Sequence, residues 1–183
     1  MVAMRAYRWL SVVALIATVS VVTSACGSGG TTKALIAPQS VPPGLVPDKI
    51  EGNLTVTEYL PGRKAFASAG PASLVADGQV WAIRRGETLV GTLQISTVKN
   101  DVSVLKESDR KSIIDGVMSG TAYQTIDLGK LQIQASNAAD KTLYLWFGPG
   151  LFEVLQLKGS KVDPDAVAAD IIEFQQSTGK LPT

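Results

Sequence analysis

Histidine is absent from this chain of 183 residues, and cysteine occurs once, as Cys26. Without histidine there is no Ser-His-Asp or Cys-His catalytic site, and no mixed Cys/His zinc site. A chain with a single cysteine has no internal disulfide. The sequence therefore predicts a domain held together by its core alone, with neither a metal nor another cofactor.

A strong charge of either sign is also lacking. Arg5 and Arg8 lie before a hydrophobic run at the N-terminus, and the formal net charge of the whole chain is +1. Without these two arginines, 15 basic residues remain against 16 acidic residues. Binding to nucleic acid depends on an excess of basic side chains that neutralise phosphates. We therefore expect no nucleic-acid partner.

The N-terminal hydrophobic run is too short for a membrane-spanning helix. It extends from Leu10 to Val22, whereas a spanning helix needs ~20 apolar residues. Arg5 and Arg8 precede the run, and three small residues at 23–25 follow it. A basic start, a short apolar core and small residues are typical of a secretory signal peptide.

Cys26 comes directly after this signal. The stretch Thr23-Ser24-Ala25-Cys26 resembles the lipobox of bacterial lipoproteins. The resemblance implies removal of residues 1–25, a diacylglycerol thioether with palmitate-type chains on Cys26, and anchoring at the extracytoplasmic face of the cell membrane. An ordinary secretory signal cut after Ala25, with an incidental cysteine, is the alternative.

The exported chain divides into a tether and one domain. Residues 26–51 contain a Gly/Ser-rich stretch and then four prolines, which exclude a helix there. Apolar pairs such as Leu45-Val46 suggest that this tether lies partly against the domain. Residues 52–183 are long enough to form a single domain with its own core.

Alternating apolar residues predict strands, and two segments with helical spacing predict helices. The first helix follows Ser108 as its N-cap. The second begins at Asp163 with Pro164 in its first turn and ends before Gly179. Short connections favour antiparallel pairing. We predict an α+β fold with a mainly antiparallel sheet of about six to seven strands and two amphipathic helices packed on one face. The strands are expected at 53–59, 79–85, 88–98, 121–127, 130–135, 141–147 and 151–157.

The two halves of the domain resemble each other weakly. The hairpin from Val80 to Ile95 parallels the hairpin from Leu143 to Leu157, and a helix is expected after each. This pattern indicates two β-hairpin–helix units. The alternative is that any two amphipathic hairpins look alike at this level of detail.

Three large aromatic residues of the hairpins form a candidate binding surface: Trp81, Tyr144 and Trp146. If Leu143 and Leu145 face the helices, Tyr144 and Trp146 lie on the opposite sheet face because strand residues alternate. An exposed aromatic pair would mark a contact surface. The alternative is that the Pro-rich segment covers this face.

No motif positively supports an enzyme. Ser-x-x-Lys occurs at Ser96, Ser103 and Ser108 but lacks the partner motifs of the serine enzymes that use it. A two-carboxylate glycosidase stays open, since its acidic pair is not tied to a sequence spacing. We expect a non-enzymatic binding module in the cell envelope, whose partner is an envelope protein, a cell-wall component or a lipid. The alternative is a lipid or hydrophobic-ligand carrier with an apolar cavity between sheet and helices.

Overall fold

An antiparallel sheet organises the domain. The computed structural model describes residues 40–50, 52–59, 74–138, 140–159 and 162–182. The predicted signal peptide, Cys26 and the first part of the tether lie outside these residues. Within them the fold is α+β, as predicted, but the sheet has eight strands instead of six or seven.

The strands and helices follow the chain in the order of their numbers. The strands are β1 (Lys49–Ile50), β2 (Leu54–Glu58), β3 (Val75–Arg85), β4 (Thr88–Val98), β5 (Gln124–Leu128), β6 (Leu131–Ala138), β7 (Lys141–Gly148) and β8 (Leu151–Lys158). The helices are α1 (Glu107–Val117), between β4 and β5, and α2 (Pro164–Ser177), after β8. Neither described helix is long and apolar enough to cross a membrane.

The sheet order is symmetric about its central pair. The strands lie in the order β1-β2-β3-β4-β8-β7-β6-β5, and every neighbouring pair is antiparallel. Each half of the described chain thus forms four successive strands and then a helix. The two halves meet where β4 pairs with β8. This shared order of elements is compatible with the two predicted units, each larger than a single hairpin.

Local sequence signals explain most element ends. The turn between β3 and β4 is Gly86-Glu87, where Gly86 has a φ of 57° that favours glycine. At α2, the Asp163 side chain accepts hydrogen bonds from the backbone amides of Asp165 and Ala166. These are donors that the first turn of a helix leaves unpaired.

The predicted N-cap of α1 is wrong. The cap residue is Lys106, which makes no side-chain capping bond. The Ser108 hydroxyl instead donates to the carboxylate of Asp109, at 3.3 Å. Asp109 accepts a second hydrogen bond, 2.9 Å long, from the backbone amide of Ser103. The loop before the helix is therefore held by Asp109, an acidic residue of the first turn, where the helix dipole favours negative charge.

The helix α2 covers one face of the sheet. Its buried Val167, Ile171 and Ile172 pack in one apolar cluster with alternate residues of the central strands, such as Leu93 and Leu155. The same cluster includes Val41, Leu45 and Ile50 from the segment before β2. The core thus includes these three residues, which lie before Gly52, the predicted start of the domain.

The helix α1 covers the opposite face. Its Ile113 belongs to a second cluster with Leu143, Leu145 and Phe152, whose sheet residues alternate with those facing α2. The prediction that both helices pack on one face is therefore wrong, and the domain has three layers. Strands β7 and β8 are apolar on both faces, so each face requires a cover.

Candidate functional site

The three aromatic residues proposed from the sequence do not form an exposed surface. Tyr144 and Trp146 are buried, with 2% and 0% of their surface exposed, and Trp81 is partly buried against the same cluster. They lie on the face that α2 covers, so the prediction that they face away from the helices is wrong. Leu45 of the Pro-rich segment packs with α2 in that layer. This agrees in part with the alternative, in which the Pro-rich segment covers the aromatic face.

Tyr144 links the sheet to the first turn of α2. Its hydroxyl donates a hydrogen bond to the Asp165 carboxylate. Burial, and then the nearby Asp165 carboxylate, raise the pKa of the Tyr144 phenol well above its usual value. The phenol therefore stays protonated and serves as a permanent donor to α2.

A buried polar cluster lies deeper in the same layer, and the sequence reasoning missed it. The Gln175 side-chain amide donates to Glu153 Oε2 at 2.8 Å and to the Leu45 carbonyl at 2.9 Å. The indole of Trp146 donates to Gln175 Oε1 at 3.4 Å. One available signal was that Glu153 shares the parity of Leu151 and Leu155 on β8, which places it among apolar side chains.

Glu153 is fully buried. Burial raises the pKa of its carboxyl group to about 8, and the hydrogen bond from Gln175 offsets only part of that shift. Within the described part of the chain, its Oε1 has no hydrogen-bond partner. The protonated form is therefore favoured at neutral pH, and the side chain has no exposed surface. Its hydrogen bond with Gln175 ties α2 to the sheet, and Gln175 in turn holds the Leu45 segment.

The remaining acidic residues that the structure describes do not assemble a metal centre. Among the residues that the structure describes, no group of three or more histidine, cysteine or acidic side chains could hold a metal ion. Asp163 and Asp165 are used at the start of α2, the first as its N-cap and the second by Tyr144.

Two grooves run along the sides of α2. The first, with a volume of about 270 Å³, separates α2 from the β5–β6 turn. The second, of about 220 Å³, lies between α2 and the ends of β2 and β3. Both are smaller than the ~300–1,000 Å³ that is typical of sites for small ligands. Lining the first groove are Leu128, Gly129, Lys130, Ala169, Ile172, Glu173 and Gln176.

The first groove adjoins an open edge of the sheet. Strand β5 pairs with β6 and is the last strand on that side of the described sheet. Its Gln124, Thr125 and Asp127 are exposed, whereas Ile126 and Leu128 are half-buried and pack against the α2-side cluster. An edge strand presents backbone donors and acceptors to any extended chain that approaches it.

Two large apolar side chains are exposed among the described residues, and both are near α1. Leu105, which precedes the helix, is 81% exposed, and Tyr123, which follows it, is 44% exposed. The two residues flank a helix whose Ile114 and Val117 are only partly buried. Single exposed apolar residues are common on proteins. Exposure alone therefore does not mark a binding surface, and the position of the residue in the fold has to be considered.

Three comparisons bear on this chain as a whole. No protein-family model matches it. No curated protein and no solved structure matches it either. Its function is therefore inferred from its own residues and from the geometry of the grooves, the sheet edge and the buried cluster.

Proposed function

We propose that this chain is a lipid-anchored, non-enzymatic binding module on the extracytoplasmic face of the cell membrane, and that it takes an extended segment of an envelope protein. The anchor is supported by the short apolar run from Leu10 to Val22 and by the position of Cys26 directly after it. Diacylation matters physically because a single acyl chain gives only marginal, reversible membrane binding.

The observation that carries the binding role is the open edge of β5 beside the groove along α2. A polypeptide added to β5 would form backbone hydrogen bonds with the edge, as in recognition by strand addition. Side chains of an added strand alternate between faces. Every second side chain would therefore point toward the α2 side, next to Leu128 and Ile172.

The composition of the groove defines the side chains that suit it. Leu128, Ala169 and Ile172 provide apolar surface, while Lys130 and Glu173 stand at its rim with opposite charges. An apolar side chain of the partner would bury against the first three. A partner segment with alternating apolar residues and no strong net charge is therefore the ligand that this groove favours.

Neither a lipid cavity nor a catalytic site finds comparable support. The layer between the sheet and α2 is filled by buried side chains, among them Trp146, Leu155 and Ile171. The Glu153 carboxyl, whose pKa is strongly raised, lies inside this layer. A hydrophobic-ligand carrier would need free volume where these side chains pack.

Two matched substitutions on α2 test the binding role. Ala169 lines the groove beside β5, whereas Ala166 lines the groove on the other side of the helix. Short peptides would be selected from a display library against the mature chain. Ala169→Arg should weaken their binding by about tenfold or more, which corresponds to ~1.4 kcal/mol, and Ala166→Arg should leave it unchanged. Equal binding by both variants would overturn the assignment of this groove.

The anchor is tested separately. Cys26→Ser removes the only thiol of the chain, so it should release the protein from membranes or leave the precursor uncut. Fractionation and the mass of the purified protein measure both effects. A variant of mature size that still fractionates with membranes would rule out lipidation at Cys26.

A further inference from the structure

The tether joins the domain at a defined end of the sheet. The backbone amide of Val41 donates to the Asp77 carboxylate at 3.4 Å, and the Asp77 amide donates to the Thr97 hydroxyl at 3.1 Å. These contacts place Val41 where β3 begins and β4 ends. The β7–β8 turn lies at the same end, because the Val98 amide donates to the Gly150 carbonyl at 3.1 Å. We call this the tether end of the domain.

Leu105 lies on the loop that begins at the tether end. It lies in the loop that leaves β4 at Val98 and leads into α1, and 81% of its surface is exposed. Its neighbours Val102 and Val104 are buried. The leucine is thus held outward by a loop whose other apolar residues face the core.

Hydrogen bonds fix the shape of this loop. The Val102 amide donates to the Lys99 carbonyl at 3.0 Å, and the Lys106 amide donates to the Ser103 carbonyl at 2.9 Å. The Leu105 amide donates to the Ser103 hydroxyl at 3.3 Å. Because these hydrogen bonds hold the loop, Leu105 stays exposed without a partner that orders the loop.

The charges around Leu105 are mixed. Lys99 and Lys106 are exposed, but Asp101 and Glu107 are exposed beside them. Lys106 also lies 3.7 Å from the Asp109 carboxylate, with 68% of its own side chain exposed. A purely electrostatic attraction to an anionic surface is therefore weak, whereas long lysine side chains can extend from an apolar contact to headgroups.

We infer that the tether end rests on the lipid bilayer, with Leu105 inserted at the interface and Lys99 and Lys106 at the level of the headgroups. This inference rests on the proposed lipid anchor at Cys26. The 13 residues 27–39 lie between that cysteine and Ser40 and span at most about 45 Å. The bilayer is the surface always within reach of the tether end, and a short tether gives it a high effective concentration.

The test places a dye on the lipidated protein itself. Lipidation consumes the thiol of Cys26, so Leu105→Cys introduces the sole reactive thiol of the mature chain. The labelled protein would be reconstituted in phosphatidylcholine/phosphatidylglycerol vesicles with nitroxide-bearing lipids. We expect dye emission from position 105 to shift to shorter wavelength and to be quenched by the nitroxide.

Two matched positions serve as controls. Glu87→Cys places the dye on the β3–β4 turn, at the opposite end of the sheet from Val98. Tyr123→Cys places it at the other exposed apolar residue, which follows α1. Neither dye should be shifted or quenched. Equal signals from positions 105 and 87 would overturn the bilayer contact.

The outcomes also separate this inference from the anchor on which it rests. A lipidated protein whose dye at position 105 stays unquenched retains the anchor and refutes only the contact. Quenching at position 123 as strong as at position 105 would show a different orientation and would also refute it. A purified protein whose mass lacks the diacylglyceryl group would refute both.

Discussion

Gln175 on α2 and Glu153 on β8 are joined by a hydrogen bond of 2.8 Å inside the core, and neither side chain has any exposed surface. The same amide group of Gln175 also donates to the Leu45 carbonyl. Three separate parts of the chain therefore meet at a single side chain: the last helix, a central strand and the Pro-rich part of the tether that contains Leu45. Buried polar groups of this kind are costly to leave unpaired, which motivates the first two predictions.

The stability of the domain should depend on the protonation of Glu153. Its pKa is about 8 in the folded chain against an ordinary value of 4.5. Between these values the folded state holds a proton that the unfolded state has released. The free energy of unfolding should therefore fall as pH rises through this window, by ~1.4 kcal/mol per pH unit from this group. Urea unfolding at several pH values from about 5 to 8 measures the slope.

Glu153→Gln is the control for this pH dependence. The amide has nearly the same shape but does not titrate, so the slope should become much shallower. Carboxylates on the surface of the domain remain in both proteins and contribute equally. The same slope in the variant and in the parent chain would show that another group causes the pH dependence.

Gln175→Ala should destabilise the domain more than a change at its neighbour. The substitution leaves the Leu45 carbonyl and Glu153 Oε2 without the donor found in the structure. Each buried group left unpaired costs ~1–3 kcal/mol. Gln176, which is half-buried and bonds to the Pro182 carbonyl, is the matched control, and Gln176→Ala should cost under ~0.5 kcal/mol. Similar midpoints for the two variants in urea would contradict this role for Gln175.

The helix α2 should be an integral part of the core. Ile171 is fully buried in the cluster between α2 and the sheet. Replacing a buried isoleucine by alanine costs ~2–5 kcal/mol, a large share of the ~5–15 kcal/mol that stabilise a domain. Ile171→Ala should lower the melting temperature by several degrees, whereas Glu173→Ala on the exposed side of the helix should change it little. Calorimetry would decide, and an unchanged melting temperature for Ile171→Ala would refute this packing.

Gly91 should resist substitution because β8 lies close to it. A Cβ atom at this position would lie 2.5 Å from the Gln156 carbonyl oxygen and 2.6 Å from a methyl group of Leu157. Gly91→Ala should therefore cost ~1–3 kcal/mol, as overpacking typically does. Gly116→Ala, at an exposed position inside α1, should instead stabilise by ~0.5–1 kcal/mol. Opposite shifts of the urea midpoint confirm the contrast, and a neutral Gly91→Ala would contradict it.

The local elements could be predicted from the sequence because their signals are short-range. Gly86-Glu87 marks the β3–β4 turn, and Asp163 with Pro164 marks the start of α2, where the structure places them. The α+β class and the antiparallel pairing followed from short connections. Strand β1 was missed because its residues, Lys49–Ile50, are too few to show a periodic pattern.

The arrangement of the layers was decided only by the tertiary structure. Period-two alternation divides the residues of β7 and β8 between two faces, but both faces are apolar. No local sequence signal indicates which helix covers which face. Tyr144 and Trp146 were therefore expected on the wrong side of the sheet. Their positions depend on contacts between residues far apart in the chain, such as that of Trp146 with Gln175.

The candidate sites divide in the same way. The proposed anchor at Cys26 rests on residues 1–30 alone, since a signal peptide is recognised as a linear segment. The groove between β5 and α2, the buried Glu153 and the outward Leu105 became visible only in the folded chain. A groove needs two elements brought together, and the burial of a side chain depends on everything packed around it. The sequence by itself determined most helices and strands of this protein and the expectation of an anchor, and long-range packing determined its surfaces.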